Sequence, residues 1–235
     1  MRDAFYELYA GLDREGPGEP EDVIWAAGVA GLGPEARICD AGSGSGGDIP
    51  ALLAVAPEGH VTAVDKHKGF VDEVLARFGT DRRVTAYKGD IAKLKGPYDF
   101  IWSAGAVYFL GVPRALNCWR PVLAKGGAVA FSEPCFFVEE PSEAARLFWD
   151  DYPTMDEAGI AMQIESAGYE VLGTRRIADA AWERYYQPLK ARIALLRDGA
   201  EPVMTAVLDA TDTEIATWRT VKEETGYLMS VVRPA

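Results

Sequence analysis

The chain has 235 residues, of which 24 are Lys or Arg and 36 are Asp or Glu, so its formal net charge is −12. Hydrophobic residues make up 49% of it, enough to build a large buried core in one domain, and this composition excludes a disordered chain. The excess of acids argues against a nucleic-acid partner, because binding phosphates needs clustered Lys and Arg.

The same composition argues against a membrane, a signal peptide and a metal site. No apolar run reaches the roughly 18 residues that a transmembrane helix needs. Acids from Asp3 to Glu15 interrupt the start, where a signal peptide would be apolar. Cys39, Cys118 and Cys135 are far apart, and with only 2 His they form neither a disulfide framework nor a metal-ligand spacing. We therefore expect a cytoplasmic protein without a metal.

Short apolar runs alternate with helical patterns through the middle of the chain. The runs predicted to be strands cover residues 36–41, 59–65, 82–90, 97–105 and 126–134. Strand and helix repeated in this way predict an α/β fold with a doubly wound, mostly parallel sheet and right-handed crossovers.

The flanking segments are predicted to be mainly helical. Two helices around a Gly/Pro loop form a cap over residues 1–32, followed by a core over 35–135. An elaboration over 136–225 contains helices at 141–149, 156–166, 179–197 and 203–224 and a strand at 168–176, and residues 226–235 hold the last strand. Pro188 is expected to kink or split its helix. No linker divides the chain, so a single domain is predicted.

The most informative motif is a glycine-rich turn, Asp40-Ala-Gly42-Ser-Gly44-Ser-Gly46-Gly47-Asp48, between the first strand and the first helix of the core. Glycine tolerates positive φ and lets a ligand lie against the backbone at a helix start. The spacing fits two ligands. Gly42-x-Gly44-x-x-Gly47 is a dinucleotide fingerprint, whereas Asp40-x-Gly42-x-Gly44-x-Gly46 is the pattern of S-adenosylmethionine (SAM) enzymes.

Charge favours the second ligand. Asp40 and Asp48 flank the turn, and no Lys or Arg occurs between residues 38 and 65. An acid would repel a pyrophosphate, whereas it suits the ammonium and sulfonium of SAM. Asp65, at the end of the second strand, could accept from ribose hydroxyls in either ligand, or it could cap the next helix. Asp90, after the third strand, could reach an adenine edge or form an ordinary turn.

These segments resemble a known family. RICDAGSGSGGDIPALL, HVTAVD, YKGDIAKL, PYDFIWSAGAVYFL and LNCWRPVLAKGGAVAFSEP are similar to successive motifs of class I SAM-dependent methyltransferases, over about residues 35–135. REGPG, IWSAGAVY, FWDDYP and WERYYQPL are similar to segments of a bacterial subgroup of small-molecule methyltransferase homologues, most of which have no assigned substrate. The resemblance implies a Rossmann-like, seven-stranded sheet whose last strand is antiparallel. Ala104 departs from the subgroup, which usually has an acid there.

The resemblance also implies cofactor contacts. The backbone of Gly42, Gly44 and Gly46 would lie against the methionine and ribose part. Asp40 would orient the ammonium, Asp65 would take the ribose hydroxyls, and Asp90 and Ile91 would contact the adenine. The remaining expected cofactor residues are Ser103, beside the methionine through its carbonyl, Arg14, at the cofactor carboxylate, and Lys66, next to Asp65.

The predicted function is transfer of a methyl group from SAM to a small-molecule acceptor. SAM is a strong donor, so alignment and exclusion of water are the protein's main tasks. The candidate catalytic groups are Tyr108 and Glu133, with Asp151 and Tyr152 less favoured. Seven aromatic residues are expected either to shape a site for an apolar or planar acceptor or to fill the core under the late helices: Tyr108, Phe109, Phe136, Phe137, Phe148, Trp149 and Tyr152. The alternatives are an NAD(P)-dependent oxidoreductase and a non-catalytic SAM-binding sensor.

One late helix carries an apolar stripe. Its members are Trp182, Tyr185, Leu189, Ile193 and Leu196. Such a stripe could be a lid over the acceptor, the seam of a homodimer, or ordinary core packing, which is the favoured interpretation.

Overall fold

The fold is a central sheet with helices on both faces. The computed structural model describes residues 2–150 and 152–235. The strands are β1 (Arg37–Ala41), β2 (His60–Asp65), β3 (Val84–Lys88), β4 (Tyr98–Ser103), β5 (Leu123–Phe136), β6 (Met155–Asp156), β7 (Tyr169–Arg176) and β8 (Thr225–Pro234). The helices are α1 (Arg2–Tyr9), α2 (Pro20–Ala30), α3 (Ile49–Val55), α4 (Lys68–Phe78), α5 (Val112–Trp119), α6 (Glu143–Leu147), α7 (Glu157–Ser166), α8 (Asp179–Leu196) and α9 (Pro202–Val221).

The order of the strands is β3-β2-β1-β4-β5-β8-β7. Strands β1 to β5 pair in parallel, and β8 lies antiparallel between β5 and β7. The predicted mostly parallel sheet with an antiparallel last strand is confirmed. The chain moves from β1 to β3 on one side and then returns to β4 on the other side of β1. This switch point opens a crevice at the carboxyl ends of the strands.

The sheet contains one strand that the sequence pattern did not reveal. Met155 and Asp156 form β6, which pairs in parallel with the end of β5. Both residues are exposed, so β6 has no buried face and is too short to show an apolar alternation. The seven predicted strands are therefore joined by a two-residue eighth.

Alternating residues of the central strands pack into two core layers. Phe100 and Trp102 of β4 point toward α2, α3 and the late helices, while Ile101 points toward α5 and α7. Trp119 of α5 is fully buried, and its indole nitrogen donates to the Ile91 carbonyl over 2.7 Å. The first and the last helix both contribute to the first layer, α1 through Leu8 and α9 through Trp218.

The structure excludes one of the two effects expected of Pro188 and decides between the three roles proposed for the stripe of α8. The helix runs unbroken past Pro188, so it is not split there. Pro188 faces solvent, while buried Tyr185 and Tyr186 before it and buried Leu189 and Ile193 after it anchor both halves in the core. Trp182 stacks on Trp218 and on Tyr227, with ring centroids 5.2 and 5.4 Å apart. The stripe is core packing rather than a lid or a dimer seam, and the homodimer stays a prediction.

Candidate active site

A cavity of about 540 Å³ lies at the switch point. The glycine turn, the ends of β1 and β2, the segment after β3 and the loop after β4 form its base. The amino-terminal segment and β8 close it. Its wall consists of Phe5, Tyr6, Arg14, Glu15, Gly16, Pro17, Asp40, Gly42, Ser43, Gly44, Gly47, Asp48, Asp65, Lys66, Phe70, Asp90, Ile91, Ala104, Gly105, Ala106, Tyr108, Phe109, Leu110, Arg114 and Tyr227.

The glycine turn has the backbone geometry that its sequence predicts. Gly42 and Gly44 have φ of +83° and +51°, a region that residues with a Cβ rarely adopt. The amides of Gly42 and Ser43 both donate to the Val64 carbonyl, over 2.8 and 3.1 Å. A Cβ on Gly42 would stand 2.4 Å from the Cβ of Ala106. The turn therefore fits tightly between β2 and the loop after β4.

Asp40 is a buried carboxylate beneath this turn. Asp40 is only 3% exposed, and no donor in residues 2–150 or 152–235 forms a hydrogen bond with its Oδ2 atom. Burial raises the pKa of Asp40 well above its ordinary value, and the neighbouring acids Asp48 and Asp65 add to the shift. The base of the cavity thus carries negative potential without a full complement of cations.

Asp65 combines the two roles considered for it. Its Oδ2 accepts from the Gly44 amide over 3.0 Å, and its Oδ1 accepts from the His67 amide over 2.7 Å. The carboxylate therefore fixes the glycine turn and the start of α4 while it lines the cavity. Each oxygen has a second lone pair that a ligand hydroxyl can use. Lys66, which follows it, is exposed at the rim.

Asp90 and Ile91 form the far end of the cavity. Asp90 Oδ1 accepts from the Ala92 amide over 2.9 Å and caps a short 3₁₀ turn over Ile91–Lys93. This turn is the ordinary alternative considered for Asp90, yet the residue also lines the cavity. Asp40, Asp65, Asp90 and Ile91 are brought together because parallel strands end at one edge of the sheet.

The segment that builds the base of the cavity matches a known protein family. Residues 38–127 match the family described as "Methyltransferase domain". This span contains β1 to β4, the glycine turn and the acids at the strand ends. Over these residues the chain is similar to that methyltransferase family. The match favours SAM over a dinucleotide as the ligand of the glycine turn, whose spacing left both open.

Solved structures share the fold of this chain over nearly its whole length. A SAM-dependent methyltransferase from Geobacter sulfurreducens, crystallised with S-adenosyl-L-homocysteine, is 20% identical, with coverage of 100% of this chain and 99% of that chain and a TM-score of 0.84. Its counterpart from Thiobacillus denitrificans, also crystallised with S-adenosyl-L-homocysteine, is 20% identical, with 98% of each chain covered and a TM-score of 0.83. The cyclopropane synthase MmaA2 from Mycobacterium tuberculosis is 14% identical, with 98% and 93% covered and a TM-score of 0.76. No curated protein matches the chain.

Gly46 and Ser103, both expected at the cofactor, lie outside the cavity wall. Gly46 has φ of +86°, and a Cβ there would stand 2.8 Å from Ile49 Cδ1, so this glycine serves the packing of α3 and α4. Ser103 is fully buried, and its hydroxyl donates to the Ala41 carbonyl over 2.8 Å. It ties β4 to β1, while Ala104, the next residue, lines the cavity.

Arg14 reaches the cavity from the amino-terminal loop. Its Nη2 forms an ion pair with Asp48 Oδ1 at 2.8 Å, and its Nη1 donates to the Gly18 carbonyl. Asp48 Oδ2 accepts from the Trp102 indole over 2.8 Å, so the acid that holds Arg14 is itself fixed to β4. The Arg14 Nε is buried, and within the described residues no acceptor bonds it.

Glu15 is a site residue that the sequence reasoning missed. It lines the cavity, and its Oε2 accepts from the Ser45 amide over 3.1 Å. Its position beside Arg14 in the REGPG segment was the available signal. Tyr227 was also missed, because β8 is distant in sequence and its side chain reaches the cavity only through the antiparallel pairing with β5.

The two candidate catalytic residues lie at different depths. Tyr108 lines the cavity, and burial, with Glu214 and Glu133 nearby, raises its pKa to about 12. Glu133 is 3% exposed and lies outside the cavity wall; Tyr152 donates a hydrogen bond to its Oε1. Tyr152 packs edge to face on Tyr108, with centroids 6.1 Å apart. Burial raises the pKa of Glu133 to about 7. Asp151 lies outside the described residues.

Most of the aromatic residues expected around the acceptor are elsewhere. Tyr108 and Phe109 line the cavity. Phe148 and Trp149 instead pack on Trp182, because the chain after β5 folds toward α8 and α9. Phe136, Phe137 and Tyr152 also lie outside the wall, and Phe5, Tyr6, Phe70 and Tyr227 take their place.

The described residues provide neither a metal-ion site nor a membrane-spanning helix. Among residues 2–150 and 152–235, no group of three or more His, Cys, Asp or Glu side chains is placed to hold a metal ion. None of the helices described above is both long and apolar enough to cross a membrane.

Proposed function

We propose that this protein is a SAM-dependent methyltransferase that acts on a small-molecule acceptor, which binds beside SAM in the cavity at the switch point. One observation carries the proposal: the strand-end acids and the aromatic wall belong to a single cavity of about 540 Å³. That volume lies within the roughly 300–1,000 Å³ of small-molecule sites. The amino-terminal segment covers the cavity, which disfavours an open groove for a peptide or a nucleic acid.

The proposed cofactor end is the acidic base of the cavity. The residues proposed to contact SAM are Arg14, Asp40, Gly42, Gly44, Asp65, Lys66, Asp90 and Ile91, with Gly46 and Ser103 supporting the turn and the strand from behind. Carboxylates around a bare backbone turn stabilise a ligand with a sulfonium and an ammonium, and the low dielectric of a buried site strengthens that attraction.

The proposed acceptor end contains Tyr108, Phe109, Tyr227 and Arg114. Aromatic faces would hold an apolar or planar acceptor and keep water away from the reacting carbon. Bound SAM supplies an activated methyl group, and the protein aligns the acceptor atom with it. Tyr108 is the proposed contact to the acceptor. Glu133, behind it, is proposed as a positioning residue that holds Tyr152 against Tyr108.

We further propose a cytoplasmic location. Cys39, Cys118 and Cys135 are all free thiols, which persist in a reducing compartment.

A binding and turnover experiment tests the proposal. Calorimetry with SAM, S-adenosylhomocysteine and NAD should show binding of the first two and none of NAD. Formation of S-adenosylhomocysteine should then be followed over a panel of small phenols, amines, carboxylates and thiols, with a peptide mixture and RNA as controls. Turnover confined to the macromolecules would contradict the acceptor class. Binding of SAM without turnover on any acceptor would favour the sensor alternative.

A further inference from the structure

The acids of the cavity differ in the hydrogen bonds and ion pairs that they already form. Asp48 is paired with Arg14 and bonded by the Trp102 indole. Asp65 accepts two backbone amides. Asp40 and Glu15 are different, because each keeps one buried oxygen, Oδ2 and Oε1 respectively, that no donor among the described residues bonds. A buried acceptor without a donor costs free energy, which a ligand with the right donor recovers.

Glu15 is held directly over the glycine turn. Its Oε2 stands 1.8 Å from the point where a Cβ of Gly44 would be, so the carboxylate occupies the space that this glycine leaves open. The loop before it is fixed by the Ser45 hydroxyl, which lies 3.1 Å from the Leu12 carbonyl and 3.3 Å from that of Asp13. The carboxylate is thus presented to the cavity from a loop that is bonded to the turn.

Glu15 and its neighbour Arg14 offer opposite charges to the same cavity. The Arg14 Nε lacks an acceptor and the Glu15 Oε1 lacks a donor within the described chain. An α-amino acid group needs this combination, since its carboxylate takes a guanidinium and its ammonium takes a carboxylate. The adenosine part of SAM is neutral and would gain little from either charge. The methionyl end of SAM is the part that matches the pair.

We propose that Glu15 binds the methionyl ammonium of SAM. This assignment rests on the proposed cofactor site. With Arg14, it makes two residues of the amino-terminal segment part of that site, outside residues 38–127, the span of the methyltransferase domain match.

The electrostatic environment of Glu15 agrees with this role. Burial raises its pKa to about 7, the bonds from Ser45 oppose the shift, and Asp65 and Glu73 add to it. The nearest guanidinium, that of Arg14, is directed at Asp48 instead. Glu15 is therefore a carboxylate that a bound cation would stabilise, and it is mostly ionised at pH 8.

Calorimetry at pH 8 with a pair of ligands tests the assignment. One is S-adenosylhomocysteine and the other is its deaminated analogue, which lacks only the ammonium. We expect Glu15→Gln to lower the affinity for S-adenosylhomocysteine and for SAM about tenfold or more, because a charge-assisted hydrogen bond is lost. The deaminated analogue should bind the variant at least as well as the wild type. The matched control is Asp13→Asn on the same loop, whose side chain is 99% exposed; it should change neither affinity.

Each other outcome overturns the assignment. Unchanged affinities for Glu15→Gln would mean that Glu15 does not contact the ligand. Equal weakening of S-adenosylhomocysteine and its deaminated analogue would mean that Glu15 only holds the loop. Weakening of SAM alone would place the carboxylate at the sulfonium. A wild-type protein that binds neither SAM nor S-adenosylhomocysteine would instead contradict the proposed function, so the two failures are distinguishable.

Discussion

At the residue scale, Asp65 links the glycine turn to the proposed ribose site. Both of its oxygens already accept backbone amides, so Asp65→Ala removes a brace of the turn as well as a ligand contact. We expect the affinity for S-adenosylhomocysteine to fall by about 2 kcal/mol or more, measured by calorimetry. Asp72→Ala is the control, because Asp72 pairs only with Lys68 on the exposed face of α4. An affinity unchanged by Asp65→Ala would remove Asp65 from the site.

Two substitutions of Tyr108 distinguish a role of its hydroxyl in the reaction from a role of its ring in the cavity wall. No hydrogen bond within the described chain engages its hydroxyl, and its ring lines the cavity. We expect Tyr108→Phe to keep most of the activity and Tyr108→Ala to raise the KM for the acceptor about tenfold or more, with unchanged affinity for S-adenosylhomocysteine. Steady-state kinetics on an identified acceptor measure both. If Tyr108→Phe were as damaging as Tyr108→Ala, the hydroxyl would take part in the reaction.

Glu133 gives a prediction about pH and stability. Its pKa is raised from about 4.5 to about 7, so the folded protein holds this proton to a higher pH than the unfolded chain does. The contribution of this protonated carboxyl to the free energy of unfolding is therefore lost as pH rises from about 4.5 through 7. The side chain of the Glu133→Gln variant cannot ionise. Over that pH range the free energy of unfolding of the variant should therefore rise relative to that of the wild type by on the order of 1–3 kcal/mol. Urea denaturation at pH 5 and pH 8 measures this, and an equal difference at both values would contradict it.

At the element scale, α8 tolerates a proline that its pattern predicted would interrupt it. Pro188 leaves the Arg184 carbonyl without its helical donor, but both residues face water, which can bond that carbonyl. The flanking Tyr185 and Leu189 are buried and keep the helix on the core.

Replacing this proline should stabilise the helix. We expect Pro188→Ala to raise the free energy of unfolding by about 1 kcal/mol or more, because it restores a backbone bond and a favourable propensity. Gln187→Ala, at the adjacent exposed position, is the control and should change little. Urea denaturation measures both variants. A destabilised Pro188→Ala protein would mean that a bend at this proline fits α8 to the sheet.

The amino-terminal segment is the element whose role in the site is least evident from its sequence. The Tyr9 hydroxyl lies 2.7 Å from that of Tyr185, which joins α1 to α8, and the following loop lies on the glycine turn. A Gly/Pro-rich loop predicts a turn, but its contacts depend on where α1 and α2 are anchored.

At the scale of the whole molecule, the first core layer joins distant parts of the chain. Leu8 of α1, Trp102 of β4 and Trp218 of α9 belong to it, so the cap, the core and the elaboration share buried contacts. We therefore expect the predicted single domain to unfold in one cooperative transition in calorimetry. S-adenosylhomocysteine at about 100 times its Kd should stabilise it by about 3 kcal/mol. Two separate transitions would contradict a single domain.

Much of the fold and part of the site could be predicted because the signals are local. The alternation of apolar strands and helices predicted a mostly parallel sheet, and the strand-end acids Asp40, Asp65 and Asp90 share an edge in any parallel sheet. Gly46 and Ser103 could not be assigned in this way. The residues that follow them, Gly47 and Ala104, line the cavity, whereas Gly46 packs against α3 and α4 and the Ser103 hydroxyl bonds to β1.

The sequence by itself determined the α/β class, the glycine turn and the acidic character of the cavity base, because backbone conformation and strand alternation depend on neighbouring residues. Only the tertiary structure decided that Glu15 covers the turn, that Tyr227 replaces Phe148 and Trp149 in the wall, and that α8 is core rather than lid. Those placements depend on how distant elements pack, and a packing partner far away in the chain leaves no periodicity at either position.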